Sequence, residues 1–319
     1  MIEKYYDGAI EQVAAGLGTV EKNHLLVRYS GQFSVENLND TKQLEKNEDI
    51  FVQVHEFETG EITCAYEPYL TMICDGFRRY MTGTFEEFME TCDVYYLHRP
   101  VLLGYFNQDN TGREEIILLD EVAYEQERML AALERMLCAI ADRHPVLFVL
   151  NRFQLASKST MQLTARFLKC ENCNIGLVLG VSDIQAMPEF LVPDWEMLYE
   201  TLDDGSKIYH IGNSGRKKEE TIDDEKYVDY GSEKVYRKLQ NMVEFLDFDQ
   251  AAYYLETIER KIKFDNLLVD DAARFRMWLL FVKVSILRQD IPKALEICED
   301  LEKIHLAGKE EECAYEQDY

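Results

Sequence analysis

Long hydrophobic runs are missing from this chain of 319 residues. The longest are Val146–Leu150, Ile175–Val181 and Trp278–Val282, whereas a helix that crosses a bilayer needs about 20 apolar residues. The N-terminal segment, MIEKYYDGAIEQ, also lacks the cationic stretch followed by an apolar one that marks a secretory signal. The sequence therefore predicts no membrane-spanning segment and a cytoplasmic location.

Basic residues are scarce. The chain has 34 Lys and Arg against 60 Asp and Glu, which gives a formal net charge of −26. A surface this acidic repels phosphate backbones and anionic lipid headgroups, so it disfavours general binding to nucleic acids or to membrane surfaces. The same charge favours solubility, and we interpret the acidic excess in that sense.

Metal-binding and nucleophile patterns are missing as well. The 8 cysteines are scattered, Cys170–Cys173 is the one CxxC pair, and no second pair stands at the spacing of a structural zinc site. The 6 histidines form no i, i+4 pair, and no Gly-x-Ser-x-Gly sequence occurs. The sequence therefore predicts no metal site and no catalytic residue, with the cysteines as small buried apolar side chains.

The patterns that are present predict a sheet with helices. Short apolar or β-forming runs predict strands at 24–30, 49–57, 146–150, 175–181 and 207–211. Helical or irregular helical segments are predicted at 1–20, 35–47, 68–91, 122–143, 159–170 and 184–200. Strands that alternate with helices are expected to be parallel, because each crossover needs a dozen residues or more. We therefore expect an α/β fold with a parallel sheet flanked by helices.

The pattern changes after residue 211. Residues 212–232 contain few apolar side chains, and beyond them helices alone are predicted, at 233–263, 270–289 and 292–306. We therefore predict an α/β domain over 1–212, a linker over 213–232 and an α-helical domain over 233–319. Asp247–Ala251 aligns with Asp290–Ala294 at an offset of 43 residues, within the range of helix-hairpin repeats. This favours a TPR-like helical-hairpin segment, with ordinary helix packing as the alternative.

The centre of the chain resembles a known ATPase family. Residues 144–160, HPVLFVLNRFQLASKST, are similar to the Walker B block of STAND-class signal-transduction ATPases, which are relatives of AAA+ ATPases. Residues 176–183, GLVLGVSD, resemble the sensor strand of that class, and residues 52–69 resemble its second strand with the proline-aromatic segment that follows. The resemblance covers about residues 20–306. It implies a P-loop NTPase-like sheet followed by helical repeats.

The residues with which that class binds a triphosphate and Mg²⁺ are not present. A phosphate loop needs Gly-x-x-x-x-Gly-Lys-Ser/Thr, but after the first predicted strand Gly31 alone matches it, and Gly-Lys-Ser/Thr occurs nowhere in the chain. Asn151 and Arg152 stand where the class has acids, and neither replaces an acid as a Mg²⁺ ligand or a base. The resemblance thus implies a vestigial pocket, whose positions are Gly31, Asn151, Arg152, Lys158, Ser182 and Asp183.

From these absences we expect a catalytically inactive, ATPase-like module that regulates or scaffolds through protein–protein contacts and holds no cofactor. The alternative is a divergent STAND-type ATPase that binds ATP and Mg²⁺, with Gly31, Lys158 or Asp183 in unusual roles. A nucleic-acid clamp related to the same class is disfavoured by the net charge of −26.

The helical domain supplies the candidate partner contacts. They are its aromatic residues Tyr253, Tyr254, Phe264 and Trp278, because aromatic side chains are enriched at interaction hot spots. Burial between hairpins is the alternative for each of them, since large aromatic side chains mostly lie in cores. The sequence does not identify the partner protein, and an oligomer of this chain is one of the arrangements that we consider.

Overall fold

The structure is a computed structural model. It describes residues 2–19, 24–30, 33, 35, 49–58, 60–108, 121–170, 174–182, 187–203, 207–211, 229–265 and 267–317. The chain divides into two compact units, which we call the α/β unit (residues 1–113 and 127–227) and the helical unit (residues 114–126 and 228–319). Most of the predicted linker lies outside the described residues, so the domain boundaries at 212 and 233 remain predictions.

Five parallel strands form the sheet of the α/β unit. They are β1 (Leu25–Tyr29), β2 (Phe51–Glu56), β3 (Val146–Asn151), β4 (Ile175–Ser182) and β5 (Lys207–Ile211), in the order β2–β3–β4–β1–β5. The five predicted strands are confirmed to within two residues at each end. Because every neighbouring pair is parallel, the carboxyl ends of the strands lie at one edge of the sheet.

Helices accompany these strands along the chain. They are α1 (Ile2–Gly16), α2 (Tyr69–Tyr80), α3 (Phe85–Thr91), α4 (Arg99–Asn107), α5 (Val122–Ala141), α6 (Lys158–Lys169) and α7 (Val192–Asp203). Short 3-10 turns occur at Phe153–Leu155 and Glu189–Leu191. Helix α4 was not expected from the sequence, and the helix predicted at 35–47 lies outside the described residues, apart from Val35.

The helical stretch predicted at 68–91 is divided in two. Gly83 has a φ of 89°, a conformation that glycine adopts without the strain a side chain would add. Thr84 then caps α3 in a reciprocal pair of bonds: its hydroxyl oxygen accepts from the Glu87 amide at 3.2 Å, and Glu87 Oε2 accepts from the Thr84 amide at 2.9 Å. This capping box fixes the start of the new helix.

Apolar side chains cover both faces of the sheet. On one face, α1 buries Tyr6, Ile10 and Val13 in a cluster with Leu147 and Val149 of β3. On the opposite face, Phe148 packs edge-on against the ring of Tyr69 at 4.7 Å between centroids, and Tyr69 packs against Phe167 of α6 at 5.4 Å. Alternate residues of β3 therefore point to opposite cores, as a strand buried on both sides requires.

The helical unit contains two hairpins. The first consists of α8 (Glu233–Glu244) and α9 (Phe248–Phe264), and the second of α10 (Asp271–Leu287) and α11 (Ile291–Gln317). The helical stretch predicted at 233–263 is divided in two, because Leu246 adopts a φ of 66° just after the end of α8. Apolar spacing continues through this break, so the sequence alone gives no sign of it.

Both hairpins turn in the same way. Leu246 and Gln289 are 43 residues apart, and both are left-handed, with φ of 66° and 62°. In each turn the next amide bonds to the carbonyl five residues earlier, which is the longer bond of a Schellman motif. These bonds join Asp247 N to Met242 O at 2.7 Å and Asp290 N to Ser285 O at 2.8 Å. The 43-residue correspondence seen in the sequence thus extends to backbone geometry.

None of the described helices is both long and apolar enough to cross a membrane.

Candidate functional site

The carboxyl ends of the strands bring together most of the residues that the sequence singled out. Tyr29 of β1 is in register with Ser182 of β4, and Glu56 of β2 with Asn151 of β3. In open parallel sheets, ligands bind in crevices outside this edge, next to a point where the strand order reverses. We call the edge formed by these four residues the carboxyl edge. Gly31 and Asp183 lie outside the described residues.

Asn151 is the centre of the carboxyl edge. Its side chain is fully buried, its Oδ1 accepts a 2.6 Å hydrogen bond from the Tyr29 hydroxyl, and its Nδ2 donates a 3.0 Å bond to the carbonyl oxygen of Phe33. A carboxylate cannot donate to a carbonyl, so the amide fits this position and an acid does not. Asn151 is therefore bonded both to the end of β1 and to the segment that follows it.

Glycine makes this arrangement possible. Strand β4 lies between β1 and β3, and a Cβ on Gly180 would lie 2.6 Å from Asn151 Oδ1 and would collide with the hydroxyl of Tyr6. Tyr29 and Asn151 thus meet beside a position that has no side chain. A glycine inside an apolar strand is a recognised sign of such a close approach.

Aromatic rings close the same edge from the side of α1. Phe33 lies 5.3 Å from the ring of Tyr6 and 5.8 Å from that of Tyr29, measured between centroids. Tyr6 is fully buried, and its hydroxyl has no hydrogen-bond partner among the described residues. Burial raises the pKa of Tyr6 well above its ordinary value, with smaller contributions from Tyr29 and Glu56. Tyr6, Tyr29 and Phe33 were not among the site residues predicted from the sequence.

Arg152 is held by Glu56, which was not predicted from the sequence as a site residue. Its Nε lies 3.4 Å from Glu56 Oε1, while Glu56 Oε2 accepts a 3.2 Å bond from the amide of Val35. Burial raises the pKa of Tyr29 to about 12, against the lowering effect of the Arg152 guanidinium beside it. The position of Glu56 as the last residue of β2 was the available signal for this partner.

Ser182 and Lys158 are associated with polar contacts in the turn and the helix that follow β3. The amide of Ser182 donates a 3.3 Å bond to Gln154 Oε1 in the turn after β3. Lys158 is the first residue of α6, whose N-cap Ser157 accepts from the Thr160 amide at 3.3 Å. The Thr160 hydroxyl in turn donates to the carbonyl oxygen of Glu67 at 2.9 Å. The start of α6 is therefore capped and bonded to the segment that precedes α2.

The four aromatic candidates of the helical unit differ in exposure. Trp278 is buried and packs against Phe281, so its ring belongs to the core of the unit and is not available to a partner. Tyr253 and Tyr254 are half-buried, with their ring centroids 5.4 Å apart. Phe264 is the exposed member, at 76%. Large aromatic side chains mostly lie in cores, and for this reason Trp278 is not a candidate partner contact.

Within the described ranges, no three His, Cys, Asp or Glu side chains stand close enough together to hold a metal ion. Cys173 is outside those ranges, so the CxxC pair is not described as such. Cys170 Sγ lies 4.0 Å from Cys138 Sγ.

In comparisons with known proteins, no protein-family model and no curated sequence matched this chain.

Proposed function

We propose that the α/β unit is an ATPase-like fold without nucleotide chemistry, and that the protein acts as a regulatory or scaffold module through contacts with other proteins. The observation that carries this proposal is the bonding of Asn151 to Tyr29 and to the Phe33 carbonyl at the carboxyl edge. A triphosphate and its Mg²⁺ would need charged donors and acids at this edge.

The charges at the carboxyl edge support the same proposal. Arg152 is paired with Glu56, so its guanidinium is not free for a phosphate group. Asn151 brings no negative charge for Mg²⁺, and hard cations prefer carboxylate oxygens. The parallel sheet with β1 in its interior is compatible with a P-loop ancestry, and the hairpins that share one turn geometry are compatible with TPR-like repeats. Both assignments belong to the proposal.

Thermal unfolding with and without Mg-ATP tests the absence of nucleotide binding. A ligand at 100 times its Kd stabilises the folded state by about 2.7 kcal/mol. At about 2–4 °C per kcal/mol for a domain of this size, the melting temperature would rise by roughly 5–10 °C. We expect the melting temperature not to rise at about 1 mM Mg-ATP. At that concentration a site with a Kd of about 10 µM would raise it by the full amount.

A single substitution separates the proposal from its alternative. If Mg-ATP stabilises the protein and Lys158→Ala removes the effect, the chain is a divergent ATPase and the proposal fails. Lys169→Ala, at the opposite end of the same helix, is the matched control. We expect neither variant to change the response to ATP, because the wild-type protein has none.

A further inference from the structure

The second hairpin carries an apolar surface that we call the end face. It consists of Leu279, Val282 and Ile286 on α10 and Ile291, Leu295 and Cys298 on α11. Leu295 is 61% exposed, Leu279 50% and Ile291 47%. Side chains at i, i+3 or i+4, and i+7 share one face of a helix, so the members on each helix form a stripe. Contiguous exposed apolar surface of this kind marks interaction sites.

The positions of the first hairpin that are equivalent to the end face are covered by other side chains. Moving each position back by 43 residues gives Tyr236, Leu239, Val243, Phe248, Ala252 and Leu255. Tyr236 is half-buried and the other five are buried. Leu295 is 61% exposed, whereas its equivalent Ala252 is 1% exposed. Ile291 is 47% exposed, whereas its equivalent Phe248 is 2% exposed. Equivalent residues are thus covered on the first hairpin and open on the second.

The cover on the first hairpin is the second hairpin itself. Helix α10 contacts both α8 and α9. Ion pairs also connect the described parts of the two hairpins, among them Arg276–Glu233 at 2.8 Å, Arg288–Asp249 at 3.0 Å and Lys293–Glu259 at 2.7 Å. This face of the repeat is therefore built to be covered by helices of the same hairpin type, with charged pairs at its border.

The border of the end face has charges without partners. Glu302 is the equivalent of Glu259, which accepts bonds from Lys263 and Lys293. Lys283 on α10 and Glu299 and Glu302 on α11 have no ion pair among the described residues. The two helices of the end face thus carry opposite charge at its border. A surface with this pattern complements itself when a two-fold axis runs along the hairpin, because α10 then faces α11 of the other copy.

We propose that the end face is the contact surface of a homodimer, in which α10 of one copy packs against α11 of the other. Each copy covers the apolar stripes of its partner, as α10 covers the first hairpin within the chain. The proposal does not depend on the state of the carboxyl edge, so it stands whether or not the protein binds ATP.

Sedimentation of the full chain across about 1–100 µM tests the proposal, since these concentrations span micromolar dissociation constants. We expect the mass to rise from 37.3 kDa to twice that value and to stop there. A protein that remains monomeric throughout overturns the proposal, and the end face then belongs to another occupant. Growth beyond the dimer also overturns it, because an isologous contact is closed.

Two substitutions that place a negative charge on the end face locate the interface. Ile286→Glu and Leu295→Glu alter exposed side chains, so we expect both variants to fold and melt as the wild type does but to remain monomeric. Leu268→Glu is the matched control, since Leu268 is 94% exposed and is not part of the end face. It should dimerise normally. A dimer that survives both end-face substitutions contradicts the proposal.

A charge reversal tests the orientation of the two helices. Lys283→Glu places a like charge opposite the acidic border of α11, and we expect the dissociation constant to rise about two- to fivefold. The double variant Lys283→Glu with Glu299→Lys should regain part of the lost affinity. An unchanged dissociation constant in Lys283→Glu overturns the arrangement of α10 against α11.

Discussion

The hydroxyl of Tyr29 donates a 2.6 Å hydrogen bond to Asn151 Oδ1, which joins the ends of two strands that are not neighbours in the sheet. Strand β4 lies between them, and Gly180 of β4 leaves the space in which they meet. Both partners are buried, so neither can exchange this bond for one with water. The bond therefore contributes to stability as well as closing the carboxyl edge.

The first prediction concerns this bond. Tyr29→Phe leaves Oδ1 of Asn151 buried with one partner fewer, and we expect a loss of about 1–3 kcal/mol in the free energy of unfolding. Urea denaturation measures it. Tyr96→Phe is the control, because Tyr96 is 60% exposed and water can take the place of its hydroxyl. Equal losses in the two variants would contradict the importance of the Tyr29 bond.

The second prediction concerns Gly180. In Gly180→Ala the new methyl group meets the Tyr6 hydroxyl and Asn151 Oδ1, and we expect a loss of about 1–3 kcal/mol from overpacking. Adding Tyr6→Phe removes the nearest of these atoms, a hydroxyl that has no hydrogen-bond partner among the described residues, so the double variant should recover part of the stability.

A second glycine provides the control for Gly180. Gly8 lies inside α1, and a Cβ there would have no atom within 4 Å. Gly8→Ala should therefore stabilise the protein by about 0.5–1 kcal/mol through helix propensity alone. If Gly180→Ala behaves as Gly8→Ala does, the close packing at the carboxyl edge is not as described.

The third prediction follows from the titration of Tyr29. Its pKa is raised by burial from 10.0 to about 12, so its contribution to stability is fully present below about pH 10 and is lost as the pH rises through 12. The stability difference between wild type and Tyr29→Phe should therefore shrink over this interval, as urea denaturation at several pH values would measure. A difference that stays constant would mean that the hydroxyl is not desolvated.

The fourth prediction concerns the ion pairs between the hairpins. Glu259 is buried and accepts bonds from Lys263 at 2.7 Å and from Lys293 at 2.7 and 2.9 Å. Glu259→Gln removes the buried carboxylate that both lysines share and leaves Glu296 as their remaining anion. We expect a loss of about 1–3 kcal/mol, since both lysines are partly solvated. Thermal melting of this variant should be compared with Glu256→Gln, whose side chain is half exposed and 3.8 Å from Arg288.

The strands were predictable because each is a short β-forming or apolar run that ends at polar or turn residues, as β3 does at Asn151 and Arg152. Their order was not predictable, since a strand buried on both faces has the same pattern wherever it lies in the sheet. The division between α8 and α9 was also hidden. Leu246 fits the apolar spacing of a helix, and a leucine in the left-handed conformation has no signature in the sequence.

The carboxyl edge was predictable in part. Asn151 and Arg152 were identified because they follow an apolar strand at the positions where the STAND-class resemblance expects acids. Tyr6 was hidden within the apolar side of α1, and the pairing of Glu56 with Arg152 depends on the adjacency of β2 and β3. Gly180 could have been read from the sequence, because a lone glycine in an apolar strand indicates a close approach.

The place of β1 in the sheet has a consequence for synthesis on the ribosome. Both of its neighbours, β4 and β5, follow it by about 150 residues or more in the chain. At about 5–20 residues per second, β1 stays without a strand partner for roughly 8–30 s. During that interval its apolar residues, Leu25 to Val27, are open to chaperones and to wrong pairings. The nascent chain is therefore most vulnerable to aggregation before residue 182 has emerged.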